Sequence, residues 1–556
     1  PTPAATHAPP EMPAPPRFPN RPFAIDQPAT TALQFPAPHE LAPRTRDTSR
    51  IDASLLGWLP ETPEVSSNYS ESESTTNLPN RLEVQSGTIT DPVTKAVLSE
   101  GVTLNSQAAD FRFTDLSDDV EDYGWSFTLP VEFGNSYVEF SGGTNHAQKA
   151  RTYSQVQYTL GALEVSDPDI LVGSINDVFS DANILDPANN FVFQRQATNT
   201  ESYLAATMTE AAFGYVDWTI NDTWRFAGGA RWEDYRQVAV EWNPQGYTLT
   251  TPQINPCNII DPCDFITNDD DTRDFTSDVA FQDDEFYPAA SVTYMGDFWA
   301  ETFQLRFGWS ETAIRPDLRE ITASSYIDPI TGDLTRGNPG VLPADVTNYD
   351  IRAEWFFDGG DNFTVSLFRK EIDNPIEFFE SPVSDTKTAR EIINADSAEV
   401  QGIEIEGLKE LGFLGGFFDS FFIQGNVTLQ DSELVAGPNA NAPTNQVRQL
   451  AGASDWVANF FLGYDSPNAK HTASLIFNTF GERLYVAGRN GAPDSFEQPF
   501  DSLDFNYAWY PTDTLTFRFK AVNLLDDAIT IERNGIRVFE EEPGTTISVS
   551  FQYTIR

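Results

Sequence analysis

Between Asn348 and Phe357 the chain reads NYDIRAEWFF, and its side chains sort by parity. Tyr349, Ile351, Ala353, Trp355 and Phe357 fall on one side; Asp350, Arg352 and Glu354 fall on the other. Successive residues of a strand point to opposite faces, so this segment is a strand with one apolar and one charged face. The alternation recurs in Thr302–Trp309, Ile403–Glu406, Phe421–Gln430, Leu503–Trp509, Leu515–Lys520 and Ile547–Ile555. Arg, Glu and Gln recur on the polar faces and aromatics close the apolar ones. That is the pattern of an all-β chain folded as a transmembrane antiparallel β-barrel: lipid outside, water and polar groups inside, aromatic girdles at the interfaces. The competing fold is a large secreted β-protein, a propeller or solenoid; these carry a fixed repeat period, and none is found.

Composition supports the barrel. Aromatic residues make up 13% of the 556 residues, enough to furnish girdles. No run of about 18 apolar residues exists, which excludes helical spans, whereas a barrel needs only alternate residues to be apolar. Acidic residues number 83 against 34 basic ones, a formal net charge of -49. Phosphate binding needs basic surface, so a nucleic-acid partner is excluded. Two readings of the charge stand: solubilisation of long exposed loops, or divalent-cation binding with a preference for cationic or neutral cargo. The chain has 4 histidines and no HExxH, GxSxG or P-loop, so it is not read as an enzyme and no catalytic residue is assigned.

Three regions follow one another. Residues 1–50 are proline-rich and extended. Residues 51–122 form a loop-rich segment with weak strand patterns at Arg81–Val84 and Ala108–Phe113; its tract SSNYSESESTTN (Ser66–Asn77) reads as an exposed loop. Residues 123–556 form the barrel, with about fifteen strands there and roughly 15–17 in the whole chain. Tight turns at Phe133–Asn135, Ile220–Asp222, Asp358–Asp361 and Tyr510–Asp513 alternate with long loops near 161–201, 242–284, 315–347, 436–453 and 488–500. Thr223–Asn243 and Lys470–Gly488 read as single strands longer than the membrane requires.

The candidate functional residues divide into three groups. Inward-facing polar positions of the strands are Arg225, Arg231, Glu233, Arg306, Arg352, Glu354, Glu404, Glu406, Gln424 and Arg518. They either line a transport route or simply solvate a wet lumen. Cys257 and Cys263, in NPCNIIDPCD, lack a second CxxC or a nearby His for zinc and read as a disulfide staple in an oxidising compartment. Asp264, Asp269, Asp270 and Asp271 offer hard oxygens for a structural calcium, though without the Gly and terminal Glu of an EF-hand; the alternative is a solvated acidic loop. No other cofactor is implied. The loop aromatics Tyr326, Tyr485, Phe496 and Phe500 suit stacking on a sugar ring or flat chelate, or ordering of the loops.

Several runs resemble the barrel of TonB-dependent outer-membrane receptors: SETAIRPDLRE (Ser310–Glu320), RGNPGVLPADVTNYDIRAEWFF (Arg336–Phe357), FTVSLFRKEIDNPIE (Phe363–Glu377), NADSAEVQGIEIEG (Asn394–Gly407), GGARWEDY (Gly228–Tyr235) and AVNLLDD (Ala521–Asp527). The resemblance covers about Trp125 to Tyr553. It implies the outer membrane of a Gram-negative bacterium, contact with lipid and lipopolysaccharide, and import of a large or scarce nutrient such as a carbohydrate or siderophore. It also implies a 22-stranded barrel whose plug is opened by an inner-membrane energy-coupling protein. The sequence departs from that pattern: no plug or coupling box is recognisable, and the barrel looks incomplete. A companion chain or missing segment is therefore expected to supply the plug and first strands and to pair with Thr545–Ile555. The alternative function is a scaffold subunit of a multi-chain outer-membrane complex that keeps the barrel without active transport.

Overall fold

The computed structural model describes residues 64–77, 81–90, 97–195, 202–243, 248–250, 275–277, 280–322, 324–327, 334–384, 387–440 and 442–554. Among them the main sheet has 21 strands. Its wall begins with β1 (Glu64–Asn77), β2 (Ala109–Phe133), β3 (Ser136–Ala162) and β4 (Tyr203–Ile220). It continues through β5 (Trp224–Asn243), β6 (Ala280–Gly296), β7 (Thr302–Ile314), β8 (Ala344–Phe356), β9 (Asn362–Asp373) and β10 (Ser397–Glu410). It ends with β11 (Phe421–Val435), β12 (Trp456–Asp465), β13 (His471–Phe480), β14 (Asp501–Thr512), β15 (Leu515–Val522) and β16 (Thr546–Tyr553). Each is antiparallel to the next, and the remaining short strands of the sheet extend the ladders at their ends.

The register converts the alternation into continuous rows. Trp218, Phe226, Val292, Phe307, Ile351, Leu367, Ile403, Leu429 and Trp456 lie directly opposite one another from β4 to β12. One residue along, the row reads Thr219, Arg225, Thr293, Arg306, Arg352, Ser366, Glu404 and Thr428. A one-residue slip would exchange these rows, so burial of one face in lipid fixes the register. Trp355, Phe307, Trp309, Phe460 and Phe551 share the apolar face, while Arg306, Arg352 and Gln424 share the polar one.

Short turns close one rim and long loops the other, so the short-turn rim faces the periplasm. Gly134 and Asn135 join β2 to β3 in two residues, with Gly134 at φ 62, a conformation glycine adopts without steric cost. Along this rim aromatic rings form a belt on the apolar face. Trp224 lies 5.2 Å from Tyr294, Phe303 lies 5.2 Å from Trp355, and Trp355 lies 5.7 Å from Phe363. Farther round, Phe421 lies 4.9 Å from Tyr464 and Trp509 lies 5.3 Å from Phe517.

Three features differ from the expectation. Ser66–Asn77 is not a loop: all of β1 pairs with β2, from Glu64 opposite Thr128 to Asn77 opposite Asp115. Among the described residues the wall thus starts at Glu64, well before Tyr123. Polar side chains knit this edge in place of an apolar face, with the Ser66 and Ser126 hydroxyls 2.8 Å apart and the Asn68 amide donating to Asp122 at 2.7 Å. Lys470–Gly488 is not one strand. The chain leaves the wall at Gly481, where a Cβ would come within 2.5 Å of the Trp456 indole nitrogen, and Arg483–Gly488 joins a separate sheet. Parts of the 315–347 and 488–500 loops, finally, are themselves sheet.

As expected for an incomplete barrel, the wall does not close among the described residues. β1 pairs on one side with β2 and β16 on one side with β15; the two outer strands do not meet.

Candidate functional site: the polar face and the outer mouth

The ten inward candidates all lie on the polar face of the wall, where many neutralise one another in pairs. Arg225 donates to Asp217 at 2.9 Å. Arg231 reaches Glu233 at 2.5 Å. Arg352 donates to Glu354 at 3.0 Å, Ser366 at 3.0 Å and Glu406 at 3.3 Å. Arg306 lies 3.4 Å from the Thr293 hydroxyl and 3.9 Å from Glu354. Glu404 stands opposite Thr428, and Gln424 opposite Phe461. Arg518 donates to Gln552 at 2.8 Å, beside a cavity of about 400 Å³ that includes Phe422, Phe461, Asn506, Lys520 and Ser550 in its lining. Paired charges keep this face wet without a strong field of either sign.

At the outer mouth, the loop between β7 and β8 folds back against the polar face. Leu318, Ile321 and Val341 are buried against Tyr153 of β3, Tyr203 and Ala205 of β4 and Ala239 of β5. Arg315 holds the near end. Its guanidinium donates to the Tyr287 hydroxyl at 2.6 Å and Glu233 at 3.2 Å, lies 3.6 Å from Asp283, and stacks 4.4 Å above the Tyr235 ring. Arg151, pinned to Asp118 at 2.6 Å, reaches Asp317 at 3.2 Å. The Glu320 carboxylate accepts the Asp317 backbone N–H at 2.8 Å, yet burial pushes its pKa above the usual range.

Above this wedge an eight-stranded sheet is built from four different loops. Its order is Ser325–Ile327, Leu334–Arg336, Lys387–Asn394, Ile376–Ser384, Arg483–Gly488, Ser495–Glu497, Ile529–Arg533 and Ile536–Glu541. Where one loop meets the next the pairing is parallel at two junctions, Leu334–Arg336 on Ala389–Glu391 and Phe379–Glu380 on Ala487–Gly488. Phe379, Ile393 and Ala487 pack with Leu434, Ala344 and Val346 from the tops of the wall strands. One charged pair is buried among them and two more are partly buried. Arg448 donates to Glu377 at 3.0 Å with both side chains about 5% exposed or less, and stacks 4.9 Å over Phe379. Burial pushes the Glu377 carboxyl up, against the pull of Arg448. Arg533 pairs with Glu380, and Arg489 with Glu391.

Of the loop aromatics, Tyr485 is half-buried with the Arg390 guanidinium 4.7 Å from its ring centroid, and Phe496 and Phe500 are also half-buried. The Tyr326 side chain lies outside the described residues, as do Cys257, Cys263, Asp264, Asp269, Asp270 and Asp271. The sequence reading missed Arg315, Asp317, Glu377 and Arg448. The runs that resemble the family contain the first three, but nothing local in them signals an inward fold.

No curated protein matches the chain by sequence. Among solved structures, the siderophore receptor PiuA from Acinetobacter baumannii is similar with a TM-score of 0.53 at 12% identity, over 89% of this chain and 62% of its own. The copper transporter OprC gives 0.51 at 12% identity, again over 89% of this chain and 62% of its own. The ferric-catecholate import receptor Fiu from E. coli K12 gives 0.50 at 14% identity, with the same 89% and 62% coverage. At such identities the likeness is one of fold, and the chain spans about three-fifths of the length of each, 62%. The family model described as TonB dependent receptor-like, beta-barrel matches residues 40–524. With that match over most of its length, the chain belongs to the TonB-dependent receptors of the Gram-negative outer membrane.

Proposed function

We propose that this chain forms the barrel of an energised outer-membrane importer. It takes a nutrient too large or too scarce for a porin, captures it at the outer mouth and passes it along the polar face. The observation that carries this reading is the mouth itself: four loops joined in one sheet above a wedge that packs on the polar face. Three fold neighbours are named for a siderophore, a ferric catecholate and copper. With a formal charge of -49 on this chain, the cargo class proposed is a metal, a metal chelate or a carbohydrate without net negative charge. Opening is assigned to an inner-membrane energy-coupling protein acting through a plug that lies outside the described residues.

The test is uptake. Cells lacking the gene should lose protonophore-sensitive uptake of one cargo from a panel of free metals, iron chelates and oligosaccharides. Unchanged uptake across the panel would turn the reading to a scaffold subunit. Native mass spectrometry of the complex extracted from membranes should find a plug-bearing polypeptide; a mass equal to this chain alone would remove the plug from the mechanism. Two smaller proposals attach to the loop between β5 and β6. Cys257 and Cys263 form a disulfide, so a thiol reagent should label neither before reduction. Asp264, Asp269, Asp270 and Asp271 hold a structural calcium, so a calcium chelator should speed proteolysis of this loop.

A further inference from the structure

Two of the short periplasmic turns are unlike the rest. Most are polar: Gly134–Asn135, Asn221–Thr223, Ser466–Lys470 and Asp513–Thr514, with residues 357–361 polar after Phe357, which is 38% exposed. The turn Asp297–Glu301 instead carries Phe298 and Trp299, 48% and 80% exposed. The turn Leu411–Ser420, LGFLGGFFDS, carries Phe413, Leu414 and Phe417, 68%, 55% and 74% exposed. Rings this exposed at a periplasmic rim would face water if they pointed down the barrel axis, an unfavourable arrangement for apolar side chains of this size.

In each turn one ring instead packs back against the lipid-facing side of the wall. Phe417 lies 5.0 Å from Phe421, and Phe298 lies 5.5 Å from Phe303. Phe421 and Phe303 lie on the apolar face and extend it into the aromatic belt. In the longer turn the fold-back uses Gly415 and Gly416, at φ 77 and φ 62, which a side chain would strain. Lys409 marks the level: on the apolar face of β10 its ammonium sits 5.3 Å from the Phe413 ring centroid and pairs with Asp361 of a neighbouring turn. A lysine whose stem runs along apolar surface and whose head stays polar is placed at the headgroup layer.

We propose that Asp297–Glu301 and Leu411–Ser420 are lipid-inserted feet, seated in the headgroup and upper acyl region of the periplasmic leaflet. Their occupant is phospholipid. The continuity of their rings with the membrane-facing belt argues for this, and so does the cation at the boundary. The feet fix the depth of the barrel at two separated points of its circumference, as interfacial aromatic side chains do.

The test places p-benzoylphenylalanine at Phe417, at Trp299 and, as a control, at the exposed turn residue Asp513, in the full chain folded in its native membrane. Phe413 serves as a second site if the Phe417 variant does not fold, folding being read from heat-modifiable gel mobility. After irradiation, mass spectrometry should find phospholipid as the main adduct at positions 417 and 299 and little at 513. A polypeptide as the main adduct at either foot would overturn the proposal in favour of a protein partner. So would a folded barrel whose feet take up no more phospholipid than position 513.

Discussion

Arg448 and Glu377 are a pair almost wholly withdrawn from water, 4% and 5% exposed. The pair gains its attraction only while both members are present. Replacing Arg448 with Ala leaves a buried carboxylate without its cation and should destabilise the loop sheet by about 3–5 kcal/mol, whereas Glu377→Gln with Arg448→Met should recover most of that. Hydrogen exchange of residues 376–394 reads the difference; equal exchange in the two variants would contradict it. The pair was not legible in the sequence, because Glu377 and Arg448 sit in different loops with unremarkable neighbours. Arg352 was legible, since Ile351 and Ala353 on either side fix the face to which it points.

Among elements, the wedge between β7 and β8 carries the clearest consequences. Arg315 anchors it to four wall residues by hydrogen bonds, an ion pair and a ring contact. Arg315→Ala should lower local stability by about 2 kcal/mol, read as roughly thirtyfold faster exchange over residues 317–343. Unchanged protection there would show that Leu318, Ile321 and Val341 hold the wedge without it. Glu320 adds a dependence on pH. Its folded carboxyl prefers the neutral form, so its contribution is complete below the ordinary carboxylate range near 4.3 and is lost as pH rises through the raised value. Opening of the wedge should therefore become easier from mild acid to neutral pH, and Glu320→Gln should flatten that trend. How these elements could be read beforehand depended on where their partners lie. Strands with a lipid face announce themselves, as Asn348–Phe357 does. β1 has serine, glutamate and asparagine on both faces, and its ladder to β2 is the whole reason it is a strand. The wedge and the loop sheet depend on contacts between residues far apart in the chain, and no local period records those.

The whole molecule is organised by its two faces, and a matched pair of substitutions tests them together. Ile351→Arg places a cation on the lipid side of β8 and should impair stability in phospholipid vesicles by about 2–4 kcal/mol. Ser366→Arg, at its neighbour strand's polar face, should be tolerated far better. Equal effects would mean that the faces have been assigned wrongly. One consequence of the shared loop sheet concerns how such a protein diversifies. Loops that stand alone can be exchanged singly by recombination, each trying a new sequence while the others keep working. Here the loop after β9 pairs with the loop after β7 on one side and the loop after β13 on the other, and that loop in turn pairs with the loop after β15. A new loop must match its neighbours' hydrogen-bond edges before it can be useful, so changes in what the mouth recognises should descend together, as coordinated sets of substitutions spread over more than 200 residues of chain.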